Sequence, residues 1–452
     1  MNKNELFESM PVKKAVMHMS LPLMASMLVT VIYNMADIFF VGQTGDANQV
    51  AAVSLTTPIF MFLMALGNIF GMGGASFISR TLGEKNVKKV KHISSFCFYS
   101  SVLLGFLSMI ILIIVMKPIL NLLGTSNNTV EYCRKYLTYY LLGAPAVLSS
   151  FTLSNIIRSE GASKQAMIGN MMGTIINIIL DPIMILVLGM GVSGAAMATV
   201  IGNVVAVIYF IIYILKKSTV LSIKIRDYSI KEGMIPNIMA IGIPASVNNI
   251  LMSISYIFVN NYLKVYGDNV IAAMGIANKA ISIVTLLLVG FAAGSQPLFG
   301  YAYGSKNYKR LKELLRFEFS VVIVGGIIGG IIIFVFSNPI IKVFINDENI
   351  ITYGVLILRA LISSAPIVGI VLVLSNTFQA MGKGVQSMIL SISRQGVIFI
   401  PVLAIMSSIA KLNGVIYAQP ITDLLTAILA ISIFLGVRKE LKEDRKKLEI
   451  CL

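Results

Sequence analysis

The chain of 452 residues is 57% hydrophobic and only 12% charged, with a mean hydropathy of +0.86. That is far from the roughly 25% charged residues of a soluble domain, which excludes a soluble enzyme and makes the bilayer the solvent. The net charge of +16 comes from short Lys/Arg clusters between apolar runs, a pattern of membrane orientation and not of a nucleic-acid-binding face.

The first apolar run follows Lys13 and Lys14 without a small-residue cleavage signature, so it is predicted to be a retained helix and not a signal peptide. It holds Pro22, Tyr33 and, in VIYNMADIFFVG, Asp37. Runs of roughly 20 apolar residues recur near 16–41, 49–79, 92–116, 136–157, 165–188, 192–215, 238–263, 270–302, 315–337, 355–380, 385–410 and 413–437. They predict an all-α membrane protein of twelve transmembrane helices, apolar all round, whose internal Gly and Pro are tolerated because neighbouring helices satisfy freed backbone groups. Cys97, Cys133 and Cys451 form neither an even framework nor a metal-ligand spacing; free thiols are expected, without a disulfide scaffold or zinc site. No cofactor is expected either.

The fifth run, IINIILDPIMILVL at 175–188, encloses Asp181 and Pro182, with Asn177 one turn earlier, and the sixth holds Thr199. At about 1.5 Å per residue, Asp37 and Asp181 each lie roughly 8–12 Å below the outer end of their helix, and Thr199 comes to a similar depth. No Lys or Arg stands in the spans of this half of the chain. Two acids at one depth without a basic partner point to an exchangeable cation, a proton or sodium, held among Asp37, Asn177, Asp181 and Thr199 with Tyr33 beside them. The alternative is that each acid is a structural hydrogen-bonder. Pro182 cannot donate to its helix ladder, which loosens the backbone beside Asp181.

In the second half Lys279, Arg394 and Asp423 each lie about 15–18 Å from a helix end and are predicted to form a buried ionic cluster of architectural character. Arg359, near an outer end, is expected to snorkel, and His18 and His92 to be solvated or interfacial at cytoplasmic helix starts. The 25 Met and the absence of Trp suit an adaptable, promiscuous lining, although most Met side chains should be ordinary packing.

The chain repeats itself at an offset near 221. LGEKNVKKVK at 82–91 lies over YGSKNYKRLK at 303–312, LSN at 153–155 recurs at 374–376, and Pro22 aligns with Pro244. An even number of helices per half gives parallel repeats. Two six-helix lobes are predicted, 1–215 and 237–437, joined by a linker at 216–236 and followed by a basic tail at 438–452. Of the 36 Lys and Arg residues, six fall in one set of loops and three within spans, leaving 36 − 6 − 3 = 27 on the other side. Both termini are therefore expected in the cytoplasm of a cell-membrane protein.

SLPLMASMLVTVIYNMADIFFVG, RTLGEKN with its echo YGSKN, and NIILDPIMI followed by GVSGAAMAT together resemble the multidrug and toxic compound extrusion (MATE) transporters over almost the whole chain. The resemblance implies a cation-coupled drug antiporter with alternating access, of the DinF-like branch that couples through its amino-terminal lobe. On the matching motifs Asp37 stands for the first-helix acid, Asn177 and Asp181 for the fifth-helix pair, Thr199 for the sixth-helix hydroxyl, Tyr33 for the tyrosine before the acid, and Pro22 for the bending proline. A carboxy-lobe sodium site is not expected, because Asn248, Asn249, Ser375 and Asn376 stand where such members carry acids.

The expected cargo is organic, mostly cationic amphiphiles, and the expected working form is a monomer in the lipid bilayer without a nucleic-acid partner. A flippase for lipid-linked oligosaccharides of a related fold is the alternative, disfavoured by twelve spans and an acidic first lobe. A major facilitator carrier would show an Asp-Arg-Gly-Arg-like loop where RTLGEKN stands. A channel would conduct without counter-ion dependence, and no nucleophile with its base supports an enzyme.

Overall fold

The computed structural model describes residues 5–230 and 233–451. The side chains from 442 onward lie outside the described residues, and with them most of the expected basic tail at 438–452, Cys451 included; Cys97 and Cys133 are free and buried. Lys231 and Glu232 of the expected linker lie outside them too.

The described chain is helical, without strands. A π-helical turn at Glu5–Ser9 leads into α1 (Val12–Gly42), α2 (Ala47–Gly83) and α3 (Val87–Ile114). A short α4 (Met116–Leu122) precedes α5 (Val130–Leu142) and α6 (Ala144–Ser159), followed by α7 (Ser163–Pro182) and α8 (Val192–Lys216). The second half repeats the series with α9 (Met234–Leu263), α10 (Asp268–Gly304), α11 (Tyr308–Val335), a short α12 (Ser337–Phe344), α13 (Glu348–Ile362), α14 (Ala365–Ala380), α15 (Gly384–Ile392) and α16 (Phe399–Cys451).

Among the described residues nine helical runs are long and apolar enough to cross a membrane. The pairs α5–α6 and α13–α14, bent by 55° and 45°, each complete one more span, giving eleven. The run from Gly384 to Leu441 is 58 residues long and breaks at Lys411, whose φ of 50° and ψ of −126° are not helical. Counted as two, it brings the total to the twelve expected. Large side chains such as Leu103, Ile110, Ile331 and Ile428 point outward, as they can where the surroundings are hydrocarbon.

The sequence echo has a structural basis. Lys85 and Lys306 both adopt positive φ, 59° and 56°, and each precedes an Asn that caps the next helix. Asn86 accepts from Lys89 N at 3.0 Å and Asn307 from Arg310 N at 3.0 Å, satisfying donors that a helix start leaves unpaired. The two bends are equivalent as well. A Cβ on Gly105 would lie 2.5 Å from Pro145 Cα, and one on Gly326 2.7 Å from Pro366 Cα, so both bent spans lean on a glycine 221 residues apart.

The chain forms two compact units, one from Ala25–Ser246 and the other from the π-helical turn at Glu5–Ser9 and the start of α1, up to Met24, together with the chain from Val247. In the first, α6 packs on α2 and α3, and α7 on α8. Ser94 Oγ donates to Ser222 O at 2.9 Å, Ser95 Oγ to Lys224 O at 2.9 Å, Tyr99 OH to Ile223 O at 2.9 Å, and His92 Nδ1 lies 2.8 Å from Asp227 O. The segment after α8 is thus held along α3, and His92 serves it. In the second unit Phe7 stacks on Tyr301 at 4.6 Å and Tyr301 OH donates to Glu8 at 2.7 Å.

Candidate ion-coupling site in the first unit

The site begins with two glycines. A Cβ on Gly173 would lie 2.6 Å from Gly202 O and one on Gly202 2.5 Å from Gly173 O, so α7 and α8 cross with their backbones in contact, as small residues allow in membranes. One turn beyond Gly173 stands Asn177, and three residues before Gly202 stands Thr199. Asn177 Nδ2 lies 3.3 Å from Thr199 Oγ1 and 3.5 Å from Asp181 Oδ1. Pro182 closes α7, and the chain continues as a π-helical turn at Ile183–Val187. The ladder is therefore loosened directly after Asp181.

The second half of α1 completes the cluster. Tyr33 OH and Thr199 Oγ1 are 3.1 Å apart, and Asp37 stands one turn beyond Tyr33. Exposure is 7% for Asp37, 3% for Asn177, 0% for Asp181 and 5% for Thr199. Asp37 Oδ1, Asp181 Oδ2 and Asn177 Oδ1 are buried oxygens without a hydrogen-bond partner. Among the described residues no Lys, Arg or His forms an ion pair with either acid, while the two acids are close enough for their charges to interact. All five residues chosen from the sequence come together. Two that were missed join them: Tyr136 and Tyr140 on α5, nearly buried and stacked at 6.0 Å, with Tyr136 in electrostatic reach of both acids. Their i, i+4 spacing was the available signal, but it reads equally as packing.

Buried acceptors without donors are costly unless something neutralises them. The donor set is all oxygen: two carboxylates, an amide carbonyl and two hydroxyls. That set suits protons or a hard monovalent cation, since oxygen ligands are what hard cations take. Asp37, Asn177, Asp181 and Thr199 are the residues that would hold sodium, if sodium is the ion.

The glycine crossing is expected to be essential to this arrangement. Gly173→Ala forces its new methyl into the Gly202 carbonyl, so α7 and α8 must separate and Asn177 withdraw from Thr199. The expected result is a fall in stability of about 1–3 kcal/mol together with weakened ion dependence of transport. A thermal melt and transport assay indistinguishable from wild type would show that the crossing is slack.

In the second unit Arg394 Nε donates to Asp423 Oδ1 at 2.8 Å, Gln419 Nε2 to the same oxygen at 3.0 Å, and Ser364 Oγ to Asp423 Oδ2 at 2.8 Å. Arg394 lies in a third π-helical turn, Ser393–Val397, where Ser255 Oγ donates to the Gln395 carbonyl. Lys279 does not join this pair: its side chain is exposed and, among the described residues, makes no ion pair or hydrogen bond. Arg359 is exposed and lies 4.9 Å from the Phe334 ring, with Nε donating to Ser337 Oγ at 2.9 Å. Pro22 lies inside α1, which stays helical through it. A cavity of about 410 Å³ lined by Gln49, Tyr132, Lys135, Tyr139 and residues 189–193 is separate from the acids.

The MatE family profile matches the chain twice, over residues 22–183 and 244–405, one match on each repeat. Multidrug export protein MepA of Staphylococcus aureus (strain MRSA252) is 36% identical over 442 residues, covering 98% of each chain. The protein of the same name from Staphylococcus saprophyticus subsp. saprophyticus is 35% identical over 442 residues, again 98% of each. A solved structure described as the outward-facing conformation of a multidrug resistance MATE family transporter of the MOP superfamily superposes with a TM-score of 0.92 at 27% identity, over 99% of both chains. Twelve spans, a parallel repeat and two matches to one family carry the same conclusion: this chain belongs to the MATE family, and it is a membrane transporter, not an enzyme.

Proposed function

We propose that the protein is a multidrug efflux antiporter of the cell membrane, acting as a monomer and exporting organic, mostly cationic amphiphiles in exchange for protons or sodium. The observation that carries this reading is the pair Asp37 and Asp181, both buried, each with an orphaned oxygen and, among the described residues, neither with a basic partner. The names of the relatives support drug export, and the acids supply the coupling.

Ion entry neutralises the pair and favours one packing of α1, α7 and α8, and release favours another. Thr199 ties the three together, because it meets Asn177 of α7 and Tyr33 of α1 at once. Pro22 and the Pro182 turn are where α1 and α7 bend. Coupling is the difference in affinity of the two packings for ion and for cargo. The buried acids of the first unit support a reading in which the chain couples through its amino-terminal lobe.

The test uses inside-out membrane vesicles carrying the full chain, with proton and sodium gradients imposed separately. Ethidium should accumulate in the lumen under at least one of them. Protease added outside should trim the 438–452 tail in these vesicles but not in intact cells, as a cytoplasmic tail requires. Ethidium movement indifferent to both gradients would remove the antiport reading.

A further inference from the structure

The second unit holds an acid that nothing above uses. Glu318, on α11, is 1% exposed. Ser295 Oγ of α10 lies 2.6 Å from its Oε1, and its Oε2 is buried without a partner. It stands ten residues into α11, about 15 Å from the helix start, so it is deep in the span.

Among the described residues no cation pairs with it. Among the described side chains, the charged and titratable residues on the elements packed against α11 are Lys279, Tyr301 and Tyr303 on α10, Lys342 on α12, and Glu348, Tyr353 and Arg359 on α13; α14 has none. On α11 itself Glu313 and Arg316 are the nearest. None of these forms an ion pair or hydrogen bond with Glu318 among the described residues. One carboxyl and one hydroxyl are too few oxygens for a metal ion, and no group of three or more His, Cys, Asp or Glu gathers anywhere among the described residues. What remains as a neutralising partner is a proton.

The repeat shows that the fold does not require an acid here. The positions equivalent to 295 and 318 are 295 − 221 = 74 and 318 − 221 = 97, Gly74 and Cys97. They also touch, for a Cβ on Gly74 would meet Cys97 Sγ at 2.6 Å. The first unit fills this spot with a glycine and a thiol. Only the second places a carboxyl there, at a desolvation cost that mere packing does not repay. Next to Ser295, Gln296 Nε2 lies 3.3 Å from Gln379 Oε1, Gln379 Nε2 donates to Ser387 Oγ at 3.0 Å, and Ser387 and Ser375 are 3.2 Å apart. A polar chain thus runs from α10 through α14 to α15.

We propose that Glu318, with Ser295, is a second proton-binding site that exchanges its proton during the transport cycle, in addition to the site at Asp37 and Asp181. This rests on the antiport reading, and the experiment separates the two. Protons released when ethidium binds to the purified full-length protein are counted by titration calorimetry in two buffers of different ionisation enthalpy.

Glu318→Gln should lower the release by up to one proton per ethidium, and Asp37→Asn should retain the share that Glu318 supplies. Equal release from Glu318→Gln and wild type at equal ethidium affinity overturns the site. Wild type that releases no proton also overturns it, yet leaves sodium exchange at Asp37 and Asp181 standing. Should Glu318→Gln fail to fold, the double variant Ser295→Gly, Glu318→Cys copies the packing of the first unit and serves the same comparison.

Discussion

Asp37→Asn and Asp181→Asn are each expected to yield folded protein that binds ethidium but no longer exchanges it for the driving ion. The substitution keeps the shape and removes the charge. Both carboxylates carry a buried oxygen without a partner, so their removal should leave the thermal melt unchanged or raise it, because an uncompensated buried charge is a cost. The loss falls on coupling. A coupling free energy of ~1–3 kcal/mol corresponds to about 5- to 150-fold in affinity, and gradient-driven uptake into inside-out vesicles should fall by a factor in that range. The test is specific because Asn still offers a carbonyl oxygen to the local hydrogen bonds. If either variant keeps full gradient-driven transport at normal expression, that residue is a structural hydrogen-bonder and the exchange site lies elsewhere.

Asp423→Asn should behave in the opposite way. Both oxygens of Asp423 are occupied, by Arg394 and Gln419 on one side and Ser364 on the other, and its exposure is 1%. The substitution leaves the Arg394 guanidinium facing a neutral amide. Stranding one member of a buried pair costs about 3–5 kcal/mol, so folded yield and thermal stability should drop sharply while the surviving protein retains its ion dependence. The paired replacement Arg394→Met, Asp423→Leu should recover much of the loss, since apolar substitutes for a buried ion pair are commonly neutral or better. Normal stability of Asp423→Asn combined with lost ion dependence would move this pair into the transport path.

The two units explain why the acids differ in character. Asp423 has a cation within 2.8 Å, whereas Asp37, Asp181 and Glu318 have none among the described residues. Depth along the helix did not separate these cases, for all four lie well inside a span. Lys279 makes the same point. Its depth matches that of Arg394 and Asp423, yet its side chain is exposed on α10 while Arg394 meets Asp423.

Twelve spans, their order and the repeat followed from the amino-acid sequence itself, because runs of about 20 apolar residues admit only helices in a bilayer and because 221-residue echoes such as GEKN and GSKN encode the same cap. The matching depth of Asp37, Asp181 and Thr199 was legible for the same reason: helical rise is constant. The tertiary structure alone decided which way each side chain points around its axis. Helices apolar on every face, with lipid on one side and apolar neighbours on the other, have no hydrophobic stripe to mark the inside. Hence Tyr136 and Tyr140 joining the acids, Lys279 standing apart and Glu318 left without a cation came only from the packing, where crossings such as Gly173 against Gly202 set the rotation of one helix on the next.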